Sequence, residues 1–130
     1  MGIYLPARGP FRFDLAMEYL GRSDQEILDV VVDGNIYRRA LDGPEGPALI
    51  EVRPAEGGVV ADVLTGTLPE EFLAERIRHQ FQLDADRSYP ALDEPFARPL
   101  VDMFGALPVV QTGAPFEAMV WAILGQQINI

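Results

Sequence analysis

The sequence predicts an α+β fold, in which a small antiparallel sheet is covered by helices and is followed by the first helices of an all-helical domain. Residues 48–54 and 59–65 alternate apolar and polar side chains with the period of two that is typical of strands. Apolar residues recur at helical spacing on either side, in residues 10–22 and 67–81. Beyond residue 94 the pattern is helical throughout.

The first predicted helix extends from Pro10 to Arg22. Pro10 suits a first helical turn, where a backbone N–H is not needed, and Gly21 suits the end of a helix. The apolar positions that we expect on its buried face are Phe11, Leu15, Tyr19 and Leu20.

Residues 27–41 are rich in Val, Ile and Tyr and predict strand structure. Asp33-Gly34 interrupts them and fits either a tight hairpin turn or a kink within one long strand. Turns rich in Gly and Pro separate the later strands, which indicates an antiparallel meander with one covered face. The two faces of the segment 48–54 are Ala48, Ile50 and Val52 on one side and Leu49, Glu51 and Arg53 on the other.

A second helix is predicted to start at a capping box formed by Thr67 and Glu70. In such a box the hydroxyl and the carboxylate satisfy backbone N–H groups of the first turn. Leu73, Ile77 and Phe81 form the apolar stripe of this helix, which we expect to cover the sheet.

Residues 84–94 contain Asp, Ser and Pro without periodicity, which predicts a linker. We expect this linker to separate an α+β unit at residues 1–83 from a helical unit at residues 95–130. Within the helical unit, one helix is predicted from Pro95 to Phe104 and the last from about Pro115 onward.

The last predicted helix is apolar on nearly every side, which is typical of a helix at the centre of a bundle. Only one helix of the same unit precedes it, and neither a glycine cap nor a basic last turn stands before Ile130. We therefore interpret the chain as the N-terminal portion of a longer protein, whose last helix is exposed when the chain is studied alone. Its apolar residues are Phe116, Met119, Val120, Trp121, Ile123 and Leu124.

The composition excludes several classes of site. The chain has no cysteine, so disulfides, thiolate metal sites and cysteine nucleophiles are excluded. No stretch approaches the roughly 18 apolar residues of a membrane span, and we expect a cytoplasmic monomer without a membrane partner. The net charge of -10 argues against a surface that binds nucleic acid everywhere, because such surfaces cluster Lys and Arg.

Generic catalytic motifs, among them GxGxxG, the P-loop, GxSxG and HExxH, are absent from the sequence. His79 is the only histidine, and we interpret it as a solvated residue of the second helix. Asp102 and Glu117 lie on apolar helices, where exposure on a helix edge is the expected setting. No carboxylate pair is singled out by an apolar environment of the kind that tunes acids and bases.

Residues 116–128, FEAMVWAILGQQI, form a helix of buried type that ends in two amides, Gln126 and Gln127. Because buried amides need partners, one interpretation is that they bridge neighbouring helices. The segment also resembles the helix with a GQQ or GQL ending in AlkA-type DNA-3-methyladenine glycosylases of the helix-hairpin-helix superfamily. Residues 10–20 are similar to the aromatic first helix of that family, and the order of elements agrees along essentially the whole chain.

The resemblance implies a base-excision repair enzyme that hydrolyses the N-glycosidic bond of alkylated purines in double-stranded DNA, without metal or cofactor, after base flipping. Tyr19 matches a residue of the first helix that lines the base pocket. Gln127 matches the residue that enters the gap left by the base, although closely similar bacterial members often carry an apolar residue there. Gln126 precedes it in the motif and is expected at the DNA-binding surface.

The resemblance also places the helix-hairpin-helix and the catalytic aspartate beyond Ile130. No residue of the chain then has the catalytic role, and the 130 residues alone should release no base. DNA is gripped in the family largely through the hairpin, so the acidic part present here would face away from it. Two alternatives stay open: a stand-alone ligand-binding or dimerising α+β module, and an acidic protein-interaction domain.

Overall fold

The computed structural model describes residues 2–23, 27–87 and 94–127, apart from the side chain of Gln127. Five antiparallel strands and four helices occur in these residues, which confirms the predicted α+β class. The strands are β1 (Ile3–Pro6), β2 (Val30–Val32), β3 (Ile36–Gly43), β4 (Gly46–Ala55) and β5 (Gly58–Thr65), and the helices are α1 (Phe13–Leu20), α2 (Glu70–Phe81), α3 (Ala97–Phe104) and α4 (Pro115–Gln127).

The strands form one sheet in the order β1-β5-β4-β3-β2. Strands β2 to β5 make the predicted meander, in which each strand pairs with the next. Strand β1 pairs with the far side of β5, with Ile3 opposite Ala61 and Pro6 opposite Gly58. The sequence did not predict β1, because four residues are too few to show a period and its partner is distant in sequence.

Asp33-Gly34 forms a hairpin turn rather than a kink. Asp33 has a φ of 52° and Gly34 a φ of 74°, so both adopt the left-handed backbone of a type I′ turn. The N–H of Asn35 donates to the carbonyl of Val32 at 3.3 Å and closes the turn. Of the two alternatives that the sequence left open, the structure therefore has the hairpin, with β2 and β3 as separate strands.

The hydrophobic core lies between one face of the sheet and helices α1 and α2. The Phe81 ring at the end of α2 contacts Phe13 and Tyr37 edge-on, with 5.4 Å between ring centroids in each pair. This packing confirms that the two predicted helices cover the meander. The predicted residues that are buried are Ala48, Ile50 and Val52 on β4 and Leu73, Ile77 and Phe81 on α2.

The predicted buried face of α1 was correct only in part, since Phe11 and Leu20 pack against the core. The helix begins at Phe13 instead of Pro10: Arg12 is extended, and its N–H donates to the carbonyl of Ala106 at 2.9 Å. The buried residues of the helix are Phe13, Ala16 and Met17, whereas Leu15 is half-buried and Tyr19 is exposed.

The predicted capping box at the start of α2 was also wrong. Pro69 is the N-cap residue, and no side chain accepts a hydrogen bond from the first turn. Thr67 lies two positions before the cap, too early for its hydroxyl to reach the helical N–H groups. The first turn instead carries Glu70 and Glu71, whose negative charge favours the positive end of the helix dipole.

The start of α4 at Pro115 and the end of α3 at Phe104 agree with prediction, although α3 begins at Ala97 instead of Pro95. Most of the predicted linker lies outside the described residues, and the domain boundaries stay a prediction. In the described ranges, no helix combines the length and the apolar character needed to cross a membrane. The segment between α3 and α4 contacts α2, where the N–H of Gln111 donates to the carbonyl of Gln80 at 2.8 Å.

Candidate ligand-binding cleft

A cleft of about 340 Å³ lies where the end of α1, the residue before β2 and the start of α4 meet. Two aromatic rings stand in its wall, and both are about half exposed: Tyr19 at 52% and Trp121 at 53%. The fold thus brings together the two segments that carry the family resemblance. The residues that line the cleft are Tyr19, Leu20, Arg22, Ser23, Asp29, Val110, Gln111, Thr112, Glu117 and Trp121.

Two carboxylates of the cleft bind the same arginine. Arg39 on β3 donates from Nη1 to Oδ1 of Asp29 at 2.8 Å, and its Nη2 donates to Oε2 of Glu117. The side chain of Arg39 is 8% exposed, and each carboxylate side chain is 19% exposed. A largely buried ion cluster therefore connects the first turn of α4 to the sheet.

The cluster continues through a tyrosine into α2. The hydroxyl of Tyr37 donates to Oδ1 of Asp29 at 2.5 Å and accepts a hydrogen bond from Nε2 of Gln80. The backbone carbonyl of Gln80 in turn accepts the N–H of Gln111, which lines the cleft. One polar network thus links β3, α2 and the segment that leads into α4.

The network fixes the protonation of two of its members. Burial, followed by the negative charge of Asp29 and the hydrogen bond to it, raises the pKa of Tyr37 well above its usual value. Burial by itself lowers the pKa of Arg39, but the hydrogen bond and charge of Asp29, with Tyr37 and Glu117, raise it overall. Tyr37 therefore stays neutral and Arg39 stays charged at physiological pH.

A cation already lies at the rim of the cleft. The guanidinium carbon of Arg22 is 4.0 Å from the centroid of the Tyr19 ring, and Nη1 of Arg22 donates to the Tyr19 carbonyl at 3.0 Å. Contacts of this kind are worth about 0.5–1 kcal/mol at exposed sites. A ligand that stacks on this face of Tyr19 would have to displace the guanidinium of Arg22.

The predicted site residues take different positions. Tyr19 lines the cleft, whereas Gln126 is exposed near the end of α4 and is not part of the lining. The backbone of Gln127 is helical, and its side chain lies outside the described residues. His79 is exposed on α2, as expected, and no group of three metal-ligating side chains occurs in the described part of the chain.

The prediction for Asp102 is confirmed, and the one for Glu117 is wrong. Asp102 is exposed and pairs with Arg98 of the same helix at 3.1 Å. Glu117 is half-buried because it binds Arg39, which lies far away in sequence on the inner face of the sheet. The strand pattern did contain a signal. Arg39 lies midway between Tyr37 and Leu41, so the period of two puts all three side chains on the inner face, and an inward arginine needs carboxylate partners.

No protein-family model matches the chain, and no curated protein matches its sequence. The glycosylase resemblance therefore depends on residues 10–20, on residues 116–128 and on the order of the elements. The role of each site residue stays a prediction.

Proposed function

We propose that this chain is part of an AlkA-type DNA glycosylase and supplies one wall of the pocket that receives an alkylated purine turned out of the duplex. The observation that carries the proposal is the shared cleft of Tyr19 and Trp121. Tyr19 belongs to the first segment that resembles the family and Trp121 to the second. Aromatic side chains bind flipped bases by stacking, which suits both exposed rings.

The chemistry of the cleft favours binding over hydrolysis. Asp29 and Glu117 each accept a hydrogen bond from Arg39, so neither is a free carboxylate poised to activate water. On this proposal the general base is the aspartate that the resemblance places after Ile130. The reading frame that contains this chain should therefore continue into a hairpin with a Gly-rich turn and an aspartate, and its ending without them would overturn the proposal.

Tyr19→Ala tests the pocket wall in the protein expressed from that complete reading frame. Because base stacking on an aromatic side chain is worth about 1–3 kcal/mol, kcat/KM for release of methylated bases should fall about 10-fold or more. Tyr4→Ala is the matched control, since Tyr4 is equally exposed at 52% but lies on β1, away from the cleft. Equal activity of the two variants would count against a role for Tyr19, and the 130-residue chain alone should release no base.

Gln127→Ala tests the residue that is proposed to fill the gap left by the base. Extrusion costs a few kcal/mol of unstacking, and a side chain in the gap offsets part of that cost. Release from duplex DNA should therefore fall while release from single-stranded DNA is spared and the melting temperature is unchanged. A structural amide that bridges helices predicts instead a loss of about 1–3 kcal/mol of stability and an equal fall on both substrates.

The same cleft supports a second candidate, a stand-alone module that binds a small flat ligand. Its volume of about 340 Å³ is at the lower end for ligand pockets. This candidate predicts that free adenine, added to the 130-residue chain, quenches Trp121 fluorescence to saturation at micromolar concentration. Absence of saturable quenching, together with base release by the complete protein, would reject the module in favour of the glycosylase.

A further inference from the structure

We infer that Arg39 is a positioning residue that holds the first turn of α4 against the sheet and so keeps Trp121 in the cleft with Tyr19. Arg39 reaches across the interface to Glu117, and Glu117 and Trp121 are four residues apart on one face of α4. A shift of Glu117 therefore moves Trp121 with it. This inference does not depend on which ligand the cleft takes.

Stability alone does not explain an arginine at this place. The side chain is 8% exposed, and its Nε has no hydrogen-bond partner among the described residues. A buried cation with an unsatisfied donor is costly, and replacement of all members of a buried ion cluster by apolar residues of similar volume is often neutral or stabilising. What an apolar residue cannot do is bind Asp29 and Glu117 at once.

The chain that enters α4 is shaped around the guanidinium. A Cβ added at Gly113 would lie 2.7 Å from Nη2 and 2.9 Å from Cζ of Arg39, so a side chain at this position would require the guanidinium to shift from its present place. The carbonyl of Gly113 also accepts a hydrogen bond from Arg76 on α2. Two arginines from different elements thus hold the same turn, one through its backbone and one through Glu117.

Apolar packing contributes little to this attachment in the described structure. Phe116 is 77% exposed, and Met119, Ile123 and Leu124 of α4 are also exposed. The polar contacts of Arg39 and Arg76 therefore account for a large share of what holds the start of α4. Loss of the Arg39 contact should loosen the helix locally without unfolding the sheet.

Trp121 is the only tryptophan of the chain, so its fluorescence reports on α4 directly. In Arg39→Met and Glu117→Met, acrylamide quenching of Trp121 should rise by up to about twofold, because local opening can expose the remainder of a ring that is 53% exposed. Arg38→Met is the matched control, since Arg38 is on the opposite face of the same strand and pairs with Glu51. Its quenching should equal that of the parent chain.

Unchanged quenching in folded Arg39→Met would overturn the inference. If that variant does not fold, Glu117→Met decides alone, because it removes both oxygen acceptors of the contact with Arg39 and leaves the Arg39–Asp29 pair in place. Unchanged quenching there also overturns the inference. Acrylamide quenching of Trp121 in the double variant, which combines the substitutions of Arg39 and Glu117, should be no greater than in Arg39→Met. Additive increases would contradict positioning through Glu117.

A purely structural role would lower the melting temperature and leave quenching of the folded state unchanged. Since no DNA is used, failure of the glycosylase proposal would not affect the result.

Discussion

The α+β part of the chain and its helical part contain similar apolar residues but bury them to very different extents. In the first, Tyr37, Phe81 and Ile50 are completely buried between the sheet and two helices. In the second, α3 has no buried residue, and Trp121 and Ile123 on α4 are 53% and 55% exposed, as we expected for this helix. Apolar composition alone therefore does not report burial, because a side chain also needs a facing element.

The comparison also separates two ways of attaching an element. Helix α2 is held to the sheet by a continuous apolar stripe. Burial of this stripe stabilises the fold but is not directional, so it does not fix one geometry closely. The start of α4 is held by hydrogen bonds and ion pairs to Arg39 and Arg76, which are directional. The first kind of attachment supplies stability, and the second defines where Glu117 and the cleft lie.

The largest expected effect tests the buried side of this comparison. Phe81→Ala should lower the free energy of unfolding by about 3–5 kcal/mol, because it removes a completely buried ring and leaves a cavity. Phe116→Ala removes the same atoms from a ring that is 77% exposed and should change stability by less than about 0.5 kcal/mol. Chemical denaturation followed by far-ultraviolet circular dichroism measures both. Similar losses in the two variants would mean that α4 packs in solution.

The next effect concerns the polar network. Tyr37→Phe leaves the ring in place but removes the hydroxyl that joins Asp29 to Gln80, so a buried amide loses its acceptor. The expected cost is about 1–3 kcal/mol in the same denaturation experiment. Tyr4→Phe is the control, because its hydroxyl donates to the Glu56 carbonyl from an exposed position. Equal costs would show that the network adds no more than a surface hydrogen bond.

Alkaline pH provides a second measure of Tyr37. The folded-state pKa is raised, so stability is fully present below the unfolded value near 10 and is lost as pH rises beyond it. One proton retained by the folded state costs about 1.4 kcal/mol per pH unit in that range. The free energy of unfolding, measured by denaturation at several pH values between about 10 and 12, should therefore fall less steeply with pH for Tyr37→Phe than for the parent chain. Parallel curves would show that Tyr37 ionises equally in both states.

The smallest effect is expected on the solvent face of the sheet. Arg38 and Glu51 pair at 2.7 Å across β3 and β4, with the arginine side chain 41% exposed. The Glu51 side chain is 12% exposed but also pairs with Arg53, so it keeps a partner. Arg38→Met should therefore cost at most about 1 kcal/mol, and less at high salt, because the exposed charge of Arg38 is screened. Thermal melts at low and high salt check this. A loss of stability that is insensitive to salt and larger than that of Tyr37→Phe would show that the solvent face of the sheet contributes more than the buried network.

The sequence predicted burial correctly where a periodic apolar pattern packs against another regular element. Ile50 and Val52 alternate along β4, and Ile77 and Phe81 recur along α2, so their burial follows from period alone. The prediction failed for Leu15 and Tyr19 of α1, a helix that begins after an extended Arg12 whose N–H donates to the distant carbonyl of Ala106. A pattern within one segment contains no information about such a distant partner.

The candidate site was predicted in part for the same reason. Tyr19 was identified from its motif, and the cleft does include it. The Arg39–Glu117 pair was missed because it joins residues separated by most of the chain, and each looks ordinary in its own segment. Only the inward position of Arg39 on its strand indicated that a distant carboxylate had to exist.

The position of β1 at one edge of the sheet has a consequence for the order of folding. Strands β2 to β5 can close as successive short hairpins, whereas β1 leaves the ribosome first and must wait until β5 has been made. Until then Leu5, which is buried in the finished core, has no strand beside it. We expect pulse-labelled hydrogen exchange to protect the amides of β4 before those of β1, so that the strand that comes first in sequence among the five is the last to join the sheet.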